Sequence, residues 1–216
     1  MTTAPVPIMR ASTPRVRVFI DYWNLQITLN DKEGRITGKE DVRFRIDWRH
    51  FPAWVAGKAA QIASVAEFSY EGAIIYSSYN PFKEPSYKNW LSNWLNRQPG
   101  VQVVALERQP KALPRCSSCH QQIENCPSCG SRITAMTEKG VDTAIASDMI
   151  RLAWEDAYDI AVLCSLDSDL VPAAKFLDQK GRKIIQAGFP PAGVSLATAC
   201  WASFDLFPLR EEFRRP

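Results

Sequence analysis

The sequence predicts an α/β domain with a mostly parallel central sheet, helices on both faces and a small cysteine-rich insertion. Three observations point there. Short β-branched apolar runs alternate with stretches of helical periodicity. Two of the apolar runs lead into aspartates. Between residues 110 and 136 the rhythm stops, and prolines, a glycine and two Cys-x-x-Cys pairs take over.

The elements follow in order. Arg15–Asp21 (RVRVFID) reads as a buried strand with Asp21 at its carboxyl end. Residues 31–46 are polar with two glycines and predict a loop. From Asp47, an expected N-cap, to about Phe68, residues such as Phe51, Val55, Ala59 and Ile62 recur at helical spacing. Glu71–Ser77 is the second strand, Tyr87–Asn96 a helix presenting Trp90 and Trp94 on one face, and Val101–Glu107 the third strand. Gly140 precedes a helix over Val141–Trp154 that buries Ile145, Met149 and Leu152. Ile160–Ser165 is the fourth strand, closed by Leu166-Asp167-Ser168-Asp169. A helix over Leu170–Lys180, a fifth strand over Lys183–Ala187 and a helix near Val194–Trp201 lead into Phe204–Leu209. No internal repeat is evident.

Composition sets outer limits. With 216 residues, 46% hydrophobic and 23% charged, the chain can bury a sizeable core. Its net charge of +3 permits nucleic-acid binding without demanding it, and solubility alone explains so small an excess. No apolar run approaches the roughly 18 residues of a membrane span. Residues 1–14 carry three prolines and no apolar h-region, so they read as a disordered leader, not a secretory signal, and the expected compartment is the cytoplasm.

The acids carry the chemistry. In a parallel sheet, Asp21, Asp167, Asp169 and Asp142, which stands two residues after Gly140, converge on the rim where the strands end. Each alone could be a helix cap or an Asx-turn. A cap does not need two like charges as close as Asp167 and Asp169. Carboxylates packed together stay ionised only if a cation joins them. Mg2+ and Mn2+ prefer such hard oxygen ligands and supply the chemistry of phosphodiester hydrolysis.

The cysteines point to a second metal. Cys116-x2-Cys119 and Cys126-x2-Cys129 match the paired turns that give Zn2+ four thiolates. A closed tetrathiolate set has no open position, so its role is structural. His120 is superfluous as a ligand, and Cys164 and Cys200 read as core residues. Arg108, Lys111, Arg115 and Arg132 flank the pairs and could grip a nucleic-acid backbone or merely keep the module soluble. Tyr22 and Trp23, beside Asp21, could stack a base or pack on the rim.

Several of these segments resemble one family. Phe19-Ile20-Asp21-Tyr22-Trp23-Asn24, Lys139-Gly140-Val141-Asp142 and Ser165-Leu166-Asp167-Ser168-Asp169-Leu170 are similar, in order, to the three signature segments of NYN domains, within the PIN-like nuclease superfamily. The nearest branch is the bacterial LabA-like group, and the likeness spans about residues 16–209. The resemblance implies a Rossmann-like three-layer PIN core over residues 15–209, with a zinc ribbon over 110–136 inserted in it. It implies a Mg2+- or Mn2+-dependent endoribonuclease acting on RNA, single-stranded by expectation, and leaving 5′-phosphate and 3′-hydroxyl ends. Asp21, Asp142, Asp167 and Asp169 would be the metal-binding acids. Asn24 would orient the first acid or contact a phosphate, and Ser165 would stand near the metal. Asp148 lies about 240° around the helix from Asp142 and reads as structural. The family loop has glycine where this chain has Leu166. If that position requires a positive φ, a leucine there is strained. A reshaped loop would favour the alternative, a non-cleaving RNA-binding or regulatory module on the same fold. A small-molecule phosphatase is disfavoured, because no Asp-x-Asp-x-Thr/Val segment follows the first strand.

Overall fold

The computed structural model describes residues 13–133 and 136–216. Most of the expected leader, residues 1–12, lies outside them, as do residues 134 and 135 of the insertion. Eight strands are described: β1 (Arg15–Asp21), β2 (Ser69–Tyr79), β3 (Val101–Glu107), β4 (Gln109–Pro110), β5 (Met136–Thr137), β6 (Ile160–Cys164), β7 (Lys183–Gly188) and β8 (Ala202–Asp205). Six helices accompany them: α1 (Tyr22–Thr37), α2 (Phe51–Ile62), α3 (Pro85–Asn93), α4 (Val141–Trp154), α5 (Val171–Gln179) and α6 (Val194–Ala199). Short 3-10 turns cover Leu95–Arg97, Ser168–Leu170 and Phe207–Phe213. No described helix is long and apolar enough to cross a membrane.

The main sheet has the order β3-β2-β1-β6-β7-β8, and every neighbouring pair is parallel. Alternation along the strands builds two cores. Val16, Val18 and Ile20 of β1 face one side with Leu25, Leu29, Val55, Ala59 and Leu91, while Phe19 faces the other with Val141, Ile145, Met149, Leu177 and Leu196. Strands β6 and β2 divide in the same way, which gives three layers with the sheet in the middle. Because β1 and β6 are neighbours whose connections leave toward opposite edges, the strand order reverses between them. Open α/β sheets place their ligand crevice at such a reversal, outside the carboxyl ends of the strands.

Several expectations need correction. Residues 31–37 are not loop but the second half of α1, which ends at Gly38 in the left-handed conformation. The helix expected over 47–68 is the shorter α2, and Asp47 does not cap it; its side chain accepts from the Arg49 N–H in the preceding turn. α3 ends at Asn93, before the expected Asn96. The segment after the last helix, to which the sequence assigned no element, contributes a sixth strand, β8, to the sheet edge.

Candidate active site

Asp21 ends β1 and caps α1, its Oδ1 accepting from the Asn24 N–H at 3.2 Å. Asp167 and Asp169 stand in the turn after β6, where Asp167 Oδ1 accepts from the Asp169 N–H at 2.8 Å. Asp142 sits in the first turn of α4. The capping expectation is therefore right for Asp21 and Asp167, but it does not exclude a second role. A carboxylate has two oxygens, and one cap bond leaves the other available.

The four acids share an electrostatic environment at the reversal between β1 and β6. Asp21 is 5% exposed. Burial raises its pKa to about 7, and the nearby charges of Glu138, Asp142 and Asp167 add to the shift, opposed by the Asn24 N–H bond. Asp142 is also raised, first by burial and then by Asp167 and Glu138. Glu138 was missed in the sequence reading. Its signal was an acid two residues before Gly140, on the short segment that returns from the insertion. The Ser78 hydroxyl donates to its carboxylate, and Arg108 Nε donates to Ser78 Oγ at 3.0 Å.

The opposite end of the sheet is built differently. There Arg15 and Arg182 pair with Asp156 and Asp159. No ion pair among the described residues involves Asp21, Glu138, Asp142, Asp167 or Asp169. An uncompensated cluster of acids is costly, and a bound cation would relieve that cost. Among the described residues, no three His, Cys, Asp or Glu side chains form a group that could hold a metal ion, neither at the acid rim nor among the four paired cysteines expected to bind zinc. At the rim an open set is compatible with Mg2+, which keeps several waters and needs only one or two direct carboxylates.

Asn24 and Ser165 hold the loop. Asn24 Oδ1 accepts from the Leu166 N–H at 3.0 Å, and Ser165 Oγ accepts from the Asp167 N–H at 3.1 Å. Leu166 is not among the non-glycine residues with positive φ, so the leucine is not strained. Its side chain lies against Gly193, where a Cβ would stand 2.8 Å from Leu166 Cδ2. Asp148 accepts from the Tyr76 hydroxyl and pairs with Arg151, a structural role. Tyr22 is buried among Trp48, Tyr87 and Trp90, so it packs and does not present a face to a base. Trp23 donates its indole N–H to the Ser78 carbonyl, with the Arg108 guanidinium 5.4 Å above its ring.

This arrangement decides the family, because the same segments that carry the acids lie within a continuous match. Residues 15–206 match the NYN domain family. The chain belongs to that family. NYN domains are PIN-like nuclease folds that generally use divalent metals, so this one is a nuclease-type domain with a nucleic-acid substrate class. Its fold is shared with the crystal structure of a protein of unknown function from Vibrio parahaemolyticus RIMD 2210633, at a TM-score of 0.55 and 16% identity, covering 92% of this chain and 96% of that one. None of the curated proteins compared matches this NYN chain.

The insertion rises from the antiparallel pair β4–β5. Within it, two knuckles repeat with a period of ten residues, a repeat the sequence reading did not detect. The His120 N–H donates to the Cys116 carbonyl and the Gly130 N–H to the Cys126 carbonyl. The Cys116 N–H reaches the Gln121 carbonyl, and the Cys126 N–H the Ser131 carbonyl. His120 (φ 58°) and Gly130 (φ 70°) occupy the same left-handed position after the second cysteine of each pair. His120 is thus a turn residue and is exposed. Hydrogen bonds from neighbouring groups lower the Cys116 and Cys129 thiols below their usual range. No disulfide joins any of the six cysteines in the described structure. Cys164 is buried in the core as expected, whereas Cys200 follows α6 and is half-buried.

Proposed function

We propose that this chain is a Mg2+- or Mn2+-dependent endoribonuclease of the LabA-like branch that hydrolyses single-stranded RNA. The observation that carries the proposal is the set of unpaired carboxylates at the strand-order reversal, with Asp21 buried among them and raised to about 7. Asp21, Asp142, Asp167 and Asp169, joined by Glu138, are the residues that would hold the divalent ion. When bound, the ion supplies charge neutralisation for a phosphodiester and a lowered pKa for an attacking water. The protein's own contribution is position. The Asn24 side chain anchors the Leu166 N–H, Ser165 anchors the Asp167 N–H, and the cap bond from the Asn24 N–H orients Asp21. Leu166 is unstrained, which supports cleavage over the non-cleaving alternative.

The unit we assign to this activity spans residues 15–209, with 110–136 as an inserted structural zinc ribbon. Supporting zinc are the four-thiol donor set, the two matched knuckles and the lowered thiols. A reducing, cytoplasmic location keeps these thiols available.

The test is cleavage of a labelled single-stranded RNA with Mn2+, Mg2+ or EDTA, beside an Asp167→Asn/Asp169→Asn variant. Metal-dependent cleavage is expected in the wild type. The double substitution should lower it by about 100-fold or more, since even outer-shell partners of metal ligands cost 10–100-fold. A folded wild type that binds Mn2+ and RNA but cleaves nothing would overturn the enzymatic reading.

A further inference from the structure

Two cavities are lined by residues next in the chain to the rim, Tyr22 and Trp23 after Asp21 in one and Asn80 after β2 in the other, and their charges differ. One, of about 1020 Å³, runs along α1 and the 38–43 loop. It is lined by Asp31, Glu40, Asp41 and Glu84 against Arg35, Lys39 and Arg43, a poor path for a polyanion. The other, of about 450 Å³, lies at the foot of the insertion. Its lining includes Lys83, Lys111 and Arg132, the apolar Leu113, Ile133 and Met136, and no carboxylate.

This second cavity is lined by residues that adjoin, along the chain, those of the proposed site. Asn80, in its lining, follows the carboxyl end of β2. Met136 of β5 stands two residues before Glu138, and Ser78 at the end of β2 donates to Glu138. At its mouth is Phe82, which is 82% exposed although its backbone is held. Asn80 Oδ1 accepts from the N–H groups of Phe82 at 3.0 Å and Lys83 at 3.2 Å, and Glu84 accepts from the Asn80 N–H at 2.6 Å. An aromatic ring left in water on a tied turn, beside three cations, is the combination that single-stranded nucleic acids use.

We propose that this cavity takes an unpaired nucleotide of the RNA flanking the cleaved bond. Its base stacks on Phe82, and the adjoining phosphates lie against Lys83, Lys111 and Arg132. The inference rests on the nuclease reading above and deepens it: the insertion then selects single strands, because a base paired in a duplex cannot turn its face to Phe82.

The test is fluorescence anisotropy of a labelled single-stranded decauridylate with Mg2+, in the non-cleaving Asp167→Asn/Asp169→Asn background. Adding Phe82→Ala should weaken binding by about 5- to 100-fold, and Phe82→Trp should restore it. Lys111→Ala should reduce the salt dependence of log Kd by about 0.7. Trp154, 87% exposed at the far end of α4, is the control, and Trp154→Ala should leave affinity unchanged. Equal binding by the Phe82→Ala and parent proteins overturns the cavity, even if the wild type cleaves RNA. Equal losses from Phe82→Ala and Trp154→Ala overturn it too. Phe82-dependent binding in a protein whose wild type never cleaves keeps the cavity and removes the catalytic reading. Absence of both binding and cleavage removes both.

Discussion

Leu166 stands where a glycine was expected, and the loop accepts it because Gly193 yields the space. Gly193 has φ 72°, and a Cβ there would lie 2.9 Å from Leu166 Cα. The pair is therefore coupled. Gly193→Ala is expected to destabilise the fold by about 1–3 kcal/mol through strain and overlap, measured by denaturant unfolding. Leu166→Gly is expected to cost about 1–2 kcal/mol without raising activity, since no left-handed backbone is relieved. An activity gain in Leu166→Gly would show that the leucine impairs the loop after all. Asp21 gives the second residue-scale expectation. Its folded pKa lies near 7, above the unfolded carboxylate value of about 4. The folded state therefore binds the extra proton, and Asp21 weakens the metal-free fold as pH rises from about 4 to about 7, with the full penalty present above that. Asp21→Asn should stabilise the metal-free protein by about 1–3 kcal/mol at pH 8 and by nothing at pH 4. The same substitution should abolish any rise of Tm on adding Mn2+. No stabilisation at pH 8 would mean that the acid is not penalised by its surroundings.

At the scale of elements, strands were more legible than helices. β1 and β3 stand where the sequence placed them, because short apolar β-branched runs bounded by polar residues have one reading in a buried sheet. The second half of α1 was not legible, because its inward face is polar. Glu33 is buried there and accepts from Arg210 and Arg214. Those partners lie far along the chain, so local periodicity carries no trace of them. The acids of the proposed site were legible as candidates because they sit at strand ends and a helix start. Glu138 was not, because only the return of the insertion through β5 brings it to the rim. The insertion itself has an expectation of its own scale. It adds no residue to the two cores, so on the zinc proposal its order would depend on the metal while theirs would not. Removing zinc with a chelator should make residues 110–133 sensitive to limited proteolysis and leave the main thermal transition within about 2 °C. Loss of the whole fold on chelation would place the insertion within the core's stability, and an unchanged digestion pattern would argue against a structural metal.

The whole molecule separates its two ends. The amino ends of β1, β6 and β7 carry matched ion pairs, whereas the acids that end β1 and follow β6 have no ion-pair partner, so this stabilising network and the proposed chemistry occupy opposite rims of one sheet. What closes the molecule is its C-terminal segment. Phe213 is fully buried against Phe44, Phe51 and Trp54, and the Arg215 N–H reaches the Arg45 carbonyl. Glu33 of α1, its side chain 10% exposed, takes both Arg210 and Arg214. Burial alone would raise the Glu33 carboxyl, but the two guanidiniums more than reverse that and hold it below the usual range. Its folded pKa is thus depressed, so the stabilisation is complete above the unfolded value and is lost as pH falls through the folded one. Glu33→Ala leaves two arginines facing each other on a half-buried surface and should cost about 2–4 kcal/mol at pH 7. The difference between variant and wild type should shrink as the pH falls below about 4, where the unfolded carboxyl protonates, and vanish only below the depressed folded value, where the native carboxyl does too. Urea unfolding at pH 7 and pH 3 reads both numbers. A difference that stays constant across that range would mean that Glu33 acts through packing and not through its charge.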